Sequence, residues 1–184
     1  MIDTYSIIYR FYEPGSPLCD LLIKHSQQVA TLARELAGRL VAGHTPVDVD
    51  FVVEAAMLHD IGIVHTAAPG IHCHGTAPYI CHGILGRAML DELGLFRHAL
   101  VCERHTGAGL SLHDIIGQQL PLPHRDLMPV SLEEKLVCYA DKFYSKSHPD
   151  QPTRTLDVAR AKLAKFGSET LARFDAMATL FGPP

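Results

Sequence analysis

Six residues carry side chains that hold transition metals at spacings that aim them into one interior: His25, the adjacent His59 and Asp60, His82, His105 and Asp141. All but Asp60 fall on an apolar stripe at helical periodicity. His25 lies four residues after Leu21 and four before Val29, and His59 follows Val52 and Ala56 at seven and three. His82 precedes Leu85 and Met89 at three and seven, and His105 follows Val101 and Cys102 at four and three. Asp141 is four after Val137 and three before Tyr144. Residues three or four apart share a helix face, so each side chain is expected to point inward. Singly, a buried histidine is more often a core residue with an ordinary hydrogen-bond partner. Together, this many ionisable groups in one helical core are costly unless they pair or bind metal. Imidazole and carboxylate without thiolate suit Fe, Mn, Ni or Zn. Four histidines and two aspartates are too many for one metal with an open position. They suit two divalent transition-metal ions roughly 3.5–4 Å apart, bridged by a carboxylate. Asp60 is the natural bridge, because Gly62 releases the helix beside it.

The elements that must position these groups read as helices. Apolar spacing predicts helices over 18–41, 49–60, 78–93 and 95–106, with Asp48 or Asp50 as cap of the second and Gly94 between the last two. Ser131-Leu132-Glu133-Glu134 reads as a capping box opening a helix to about Lys146. A final pair is expected near 155–166 and 168–181, split by Gly167 with Ser168 as cap. Residues 1–17 read as a short helix or arm, 63–77 as a loop, and 107–130 as loop-rich with a short helix at 111–119. No strand-like alternation of useful length appears. The expected fold is all-α: one domain over 1–184, a bundle of six to eight helices with its core at about 18–146. A helical extension at about 155–181 either covers that core or forms a homodimer surface.

Composition narrows the class. The chain has 184 residues, 47% of them hydrophobic, enough for a sizeable core without disulfides. Its net charge of −4 argues against an extended nucleic-acid footprint or an anionic-membrane surface. No apolar run reaches the roughly 20 residues that span a bilayer. Asp3, Arg10 and Glu13 interrupt any signal-peptide core, so a cytoplasmic location is expected. Five cysteines without a CxxC pair read as free thiols.

The string Leu58-His59-Asp60-Ile61-Gly62 resembles the HDIG form of the HD superfamily motif. The order H…HD…H…H…D resembles that superfamily's six-ligand binuclear branch, over roughly residues 18–146. Cys102 to Gly109 and Leu132 to Val137 are similar to an HDIG phosphohydrolase subgroup. The resemblance implies His25, His59, Asp60 and Asp141 as core ligands, with His82 and His105 completing a second metal. Ile63 replaces the lysine that follows HDIG in HD-GYP proteins, and no GYP motif is present, which argues against cyclic-dinucleotide cleavage.

Other residues stay open at this level. Cys73-His74-Gly75 repeats locally as Cys81-His82-Gly83, so His74 competes with His82 as ligand; His82 is preferred because it opens an apolar helix. Lys142 and Arg104 adjoin ligands and are expected to reach a metal-bound phosphate, or else to lie on solvated faces. His72 and Thr106 are candidate substrate contacts, and His65 or His74 a proton donor to the leaving oxygen. His98, His113, His124 and His148 read as surface residues. The expected activity is a metal-activated water attacking a small phosphorylated substrate, a nucleotide or another phosphate ester, with Asp60 and Lys142 as catalytic residues. The same ligand order also resembles the mixed-valent di-iron oxygenases of the superfamily, which cleave C–C or C–P bonds. A third reading is a non-catalytic nucleotide-binding regulatory domain.

Overall fold

Nine α-helices carry most of the 184 residues, all of which the computed structural model describes. Helices α2, α3, α7 and α8 start where a side chain satisfies one of the first free amides. α1 (Thr4–Ile8) and α2 (Pro17–Ala42) are separated by a turn. In α2 the Ser16 hydroxyl accepts from the Cys19 amide, and Pro17 occupies a position where its missing N–H costs nothing. α3 (Val49–Leu58) is capped by Asp48, which accepts from Phe51 N at 3.1 Å. It stops two residues before the expected end, and the chain enters a 3-10 turn over Ile61–His65. A hairpin of two-residue strands follows, β1 (Ala67–Ala68) against β2 (Cys73–His74), antiparallel and too short to show alternation.

α4 (His82–Glu92) and α5 (Phe96–Arg104) form an antiparallel pair turned at Gly94. The short α6 (Leu112–Gly117) has a reciprocal capping box between Ser111 and Asp114. α7 (Leu132–Asp141) has only half of the expected box. Ser131 Oγ accepts from Glu134 N, but the Glu134 carboxylate takes the amide of Val130 and the guanidinium of Arg104 instead. α8 (Leu156–Leu163) and α9 (Ser168–Phe181) close the chain; Gly167, not Ser168, stands at the cap position of α9. α9 lays Phe174 and Phe181 over Tyr139 of α7 and buries Met177 beside them in sequence, so its apolar stripe covers the core. His98 is buried rather than on the surface, 3.1 Å from Glu54 and edge-on to Phe51. All five cysteines are free and buried. No helix is long and apolar enough to cross a membrane.

One close approach decides where the centre forms. A Cβ on Gly62 would lie 2.1 Å from the His82 carbonyl oxygen and 2.4 Å from Gly86 N. A Cβ on Gly86 would lie 2.3 Å from Cys102 Sγ. Glycine at both positions lets the turn after α3, the start of α4 and the end of α5 press together. Gly62 therefore does more than end a helix: it permits the contact that brings Asp60, His82 and His105 to one point. Tyr12 secures the same turn, donating its hydroxyl to Ile61 O at 2.6 Å and accepting from Val64 N at 3.1 Å.

Candidate metal centre

Asp60 sits at the junction of two donor groups. Its Oδ2 lies 3.2 Å from His25 Nε2 and 3.0 Å from His59 Nε2. Its Oδ1 lies 3.4 Å from His82 Nε2 and 3.3 Å from His105 Nε2. Asp141 joins the first group, with Oδ1 3.0 Å from His25 Nε2 and 3.5 Å from His59 Nε2. The arrangement thus has a four-residue set, His25, His59, Asp60 and Asp141, and a three-residue set, Asp60, His82 and His105, that share one carboxylate. Three helices (α2, α4 and α7), the turn after α3 and the residue that closes α5 supply them, and all six side chains are buried.

The hydrogen-bond pattern fits metal ions. His59, His82 and His105 each commit Nδ1 to the carbonyl three residues earlier, Ala56 at 2.7 Å, Tyr79 at 2.7 Å and Cys102 at 2.8 Å. That fixes Nδ1 as the donor and leaves the Nε2 lone pair facing Asp60, as in ligating histidines. Both Asp60 oxygens and His59 Nε2 lack a well-directed hydrogen bond despite complete burial. Orphaned buried acceptors on convergent imidazoles and a carboxylate are what divalent cations satisfy.

The charges are set by the same packing. Burial pushes the Asp60 carboxyl up, but His59 and Lys146 hold it well below the usual range. Burial likewise opposes ionised Asp141, which Lys142 and Lys146 keep well below its ordinary value. Burial acts to lower the pKa of His59, yet the Asp60 and Asp141 carboxylates raise it to about 9. His82 is driven down to about 3 by burial. His105 is also lowered by burial.

The other expected site residues divide. Lys142 reaches Asp141 Oδ2 at 2.5 Å and donates to the His105 carbonyl at 3.1 Å. Lys142, Thr106 and Asp141 line a cavity of about 670 Å³ that opens beside the centre. Arg104 instead pairs with Glu134 at 2.9 Å and does not line that cavity. His65, His72 and His74 are exposed and are not brought to the centre. His82, not His74, is the member of the repeated Cys-His-Gly pair that enters the cluster.

Two groups at the centre were not expected. Lys146 places Nζ 2.7 Å from Asp60 Oδ2, and despite the opposing effect of burial Asp60 and Asp141 raise its pKa. Tyr79 stacks on His82 with ring centroids 4.8 Å apart, and burial raises its phenol to about 12. Read as helix, Lys146 is five residues beyond Asp141 and faces elsewhere. The chain leaves α-geometry after Asp141 through turns, Phe143 N to Ala140 O at 3.3 Å and Tyr144 N to Asp141 O at 3.2 Å. Those turns swing Lys146 back to Asp60. The usable signal was the anionic surplus, since buried carboxylates call for a counter-charge.

The HD domain family profile matches residues 22–145, which span all six clustered residues. The chain is similar to an uncharacterized protein of Methanocaldococcus jannaschii, 39% identical over 121 residues, 65% of this chain and 64% of that protein. It is similar to a tRNA (cytidine(56)-2'-O)-methyltransferase of Picrophilus torridus, 34% identical over 127 residues, 68% of this chain and 32% of that protein. The methyltransferase of the same name from Thermoplasma volcanium is 28% identical over 155 residues, 84% of this chain and 40% of that protein. The match therefore spans less than two thirds of the length of each relative. No solved structure matches.

Proposed function

We propose that this chain, which belongs to the HD domain family, is a metal-dependent phosphohydrolase that cleaves a nucleotide or another small phosphate ester. The observation that carries this reading is the division of Asp60, one oxygen toward His25 and His59, the other toward His82 and His105. Divalent ions held at such paired donor sets supply phosphoryl polarisation and an activated water.

The chain's own residues do the rest. The committed Nδ1 atoms keep the three imidazoles oriented with Nε2 inward. Lys142 and Lys146 bring two ammonium groups to the cavity side of the centre, suited to neutralise charge on the phosphoryl oxygens. Thr106 offers a hydroxyl from the same wall, and Tyr79, Ile80, Leu110 and Leu120 give an apolar surface for the rest of the substrate. His65 and His74, expected as proton donors to the leaving oxygen, stand outside that cavity. Methyl transfer is named for relatives of which the match covers at most 40%, and it is not carried to this chain.

Purified protein loaded with Mn²⁺, Fe²⁺, Ni²⁺ or Zn²⁺ is expected to release phosphate from a panel of nucleotides and other phosphate esters. Lys142→Ala is expected to lower kcat by about 10²–10³-fold, and Asp60→Ala to abolish turnover. Silence across the whole panel, or turnover indifferent to Asp60→Ala, contradicts the reading. A mixed-valent EPR signal from iron-loaded protein without phosphate release favours the oxygenase chemistry instead.

A further inference from the structure

The cavity beside the centre extends beyond the residues matched by the family profile. Its far wall comes from the segment after Lys146 and from α8 and the turn behind it, with Arg154, Lys162, Leu163 and Phe166. Arg154 is fixed to the end of α7. Its backbone amide donates to Phe143 O at 2.9 Å, and its Nη1 donates to the carbonyls of Lys142 and Tyr144. These bonds occupy one guanidinium nitrogen; the others make no hydrogen bond within the protein, and no carboxylate pairs with the group. Lys162 likewise has no acidic partner. The other two cations of the cavity differ: Lys142 pairs with Asp141 and Lys146 with Asp60. Arg154, half-buried, and Lys162, exposed, thus face one open cavity with no carboxylate in hydrogen-bond reach of either. Burial lowers the pKa of both, against the pull of Asp141 on Arg154, and repulsion from Arg154 and Lys165 lowers that of Lys162 further. An anion seated against the pair relieves that repulsion and takes up the free guanidinium donors.

We propose that Arg154 and Lys162 form a second anion subsite, which holds a phosphate or carboxylate of the substrate separate from the phosphoryl group at the metal centre. Leu110, Tyr79, Leu163 and Phe166 enclose the portion between the two anionic groups. The chain thereby selects doubly anionic small molecules over singly anionic ones. The subsite rests on the phosphohydrolase reading only for the identity of the first group.

Calorimetric titration of the metal-loaded chain tests this, under nitrogen, with linear alkane bisphosphonates of increasing length, the matching alkylphosphonates and ω-carboxyalkylphosphonates. The C–P bond withstands ester hydrolysis, so affinity is read without turnover. At one length or more, a doubly anionic ligand is expected to bind at least about fivefold tighter than its singly anionic match, roughly 1 kcal/mol. Whether the bisphosphonate or the carboxylate series shows the gain identifies the second group. The double variant Arg154→Ala, Lys162→Ala is expected to lose the gain and keep its affinity for alkylphosphonates. A gain below fivefold at every length overturns the proposal, as does one that survives the double substitution, which marks chelation of the ions alone. Should Arg154→Ala fail to fold, Lys162→Glu on an exposed side chain serves: loss of the gain at an unchanged melting temperature supports the subsite, and an unchanged gain overturns it. A chain that shows the gain but hydrolyses no ester keeps the subsite and loses the phosphohydrolase reading; turnover without the gain does the reverse.

Discussion

Lys146 sets its ammonium nitrogen 2.7 Å from Asp60 Oδ2, the carboxylate oxygen that also faces His25 and His59. The carboxylate shared by the two donor sets therefore has a protein cation at hand. Lys146→Met is expected to leave a buried uncompensated charge in chelator-treated protein and cost about 3–5 kcal/mol of stability. Metal ions take over the compensation, so the loaded variant is expected to recover most of that loss. Urea unfolding with and without chelator reads both; an equal loss in the two states contradicts the role given to Lys146.

The histidines give the metal-free protein a signed pH response. His59 is raised to about 9, above its unfolded value near 6.5. The folded state then holds the extra proton between those values, and the stability it adds is full below pH 6.5 and lost as pH rises through 9. His82 is depressed to about 3, so its folded state excludes a proton that the unfolded chain binds, and stability falls as pH drops from 6.5 toward 3. Chelator-treated protein is expected to be most stable near pH 6.5 and to weaken on either side. Metal ions hold the imidazoles neutral, so the loaded protein is expected to lose the alkaline decline. Melting temperature across pH 5–9 with and without chelator measures this, and a decline above pH 7 that persists with metal contradicts it.

Gly62→Ala is expected to be severe although it adds one methyl group. Its Cβ would meet the His82 carbonyl at 2.1 Å and Gly86 N at 2.4 Å, both backbone atoms with no flexible end to move aside. Separating the HDIG turn from α4 would cost about 3 kcal/mol or more and displace His82 from Asp60. Denaturation and metal analysis of the variant check the two effects together; a fully stable, metal-replete Gly62→Ala protein contradicts the packing account of this glycine.

Helical phase was enough to aim His25, His59, His82, His105 and Asp141 inward, because each is flanked by apolar residues that fix its face. The choice of His82 over His74 was also legible, since only His82 opens a helix with apolar neighbours at the right offsets. Phase failed where the chain leaves the helix. Lys146 reaches the centre, and Arg154 the cavity beside it, through turns after Asp141, and no periodicity describes a turn. His98 was misjudged because its partner Glu54 lies 44 residues away and on another helix. Arg104 looked available because it adjoins His105, but Glu134, displaced from its expected cap bond, holds it. The cavity itself was not legible, because its walls come from segments far apart in sequence.

Metal content measures the shared role of Asp60 most directly. After loading and desalting, the wild-type chain is expected to retain about two divalent ions, and His82→Ala with His105→Ala about one. Asp60→Asn is expected to retain less than one, because the two donor sets lose the charge of the carboxylate they share and one of them loses its oxygen. One ion per wild-type chain, or two in Asp60→Asn, would contradict a bridged pair.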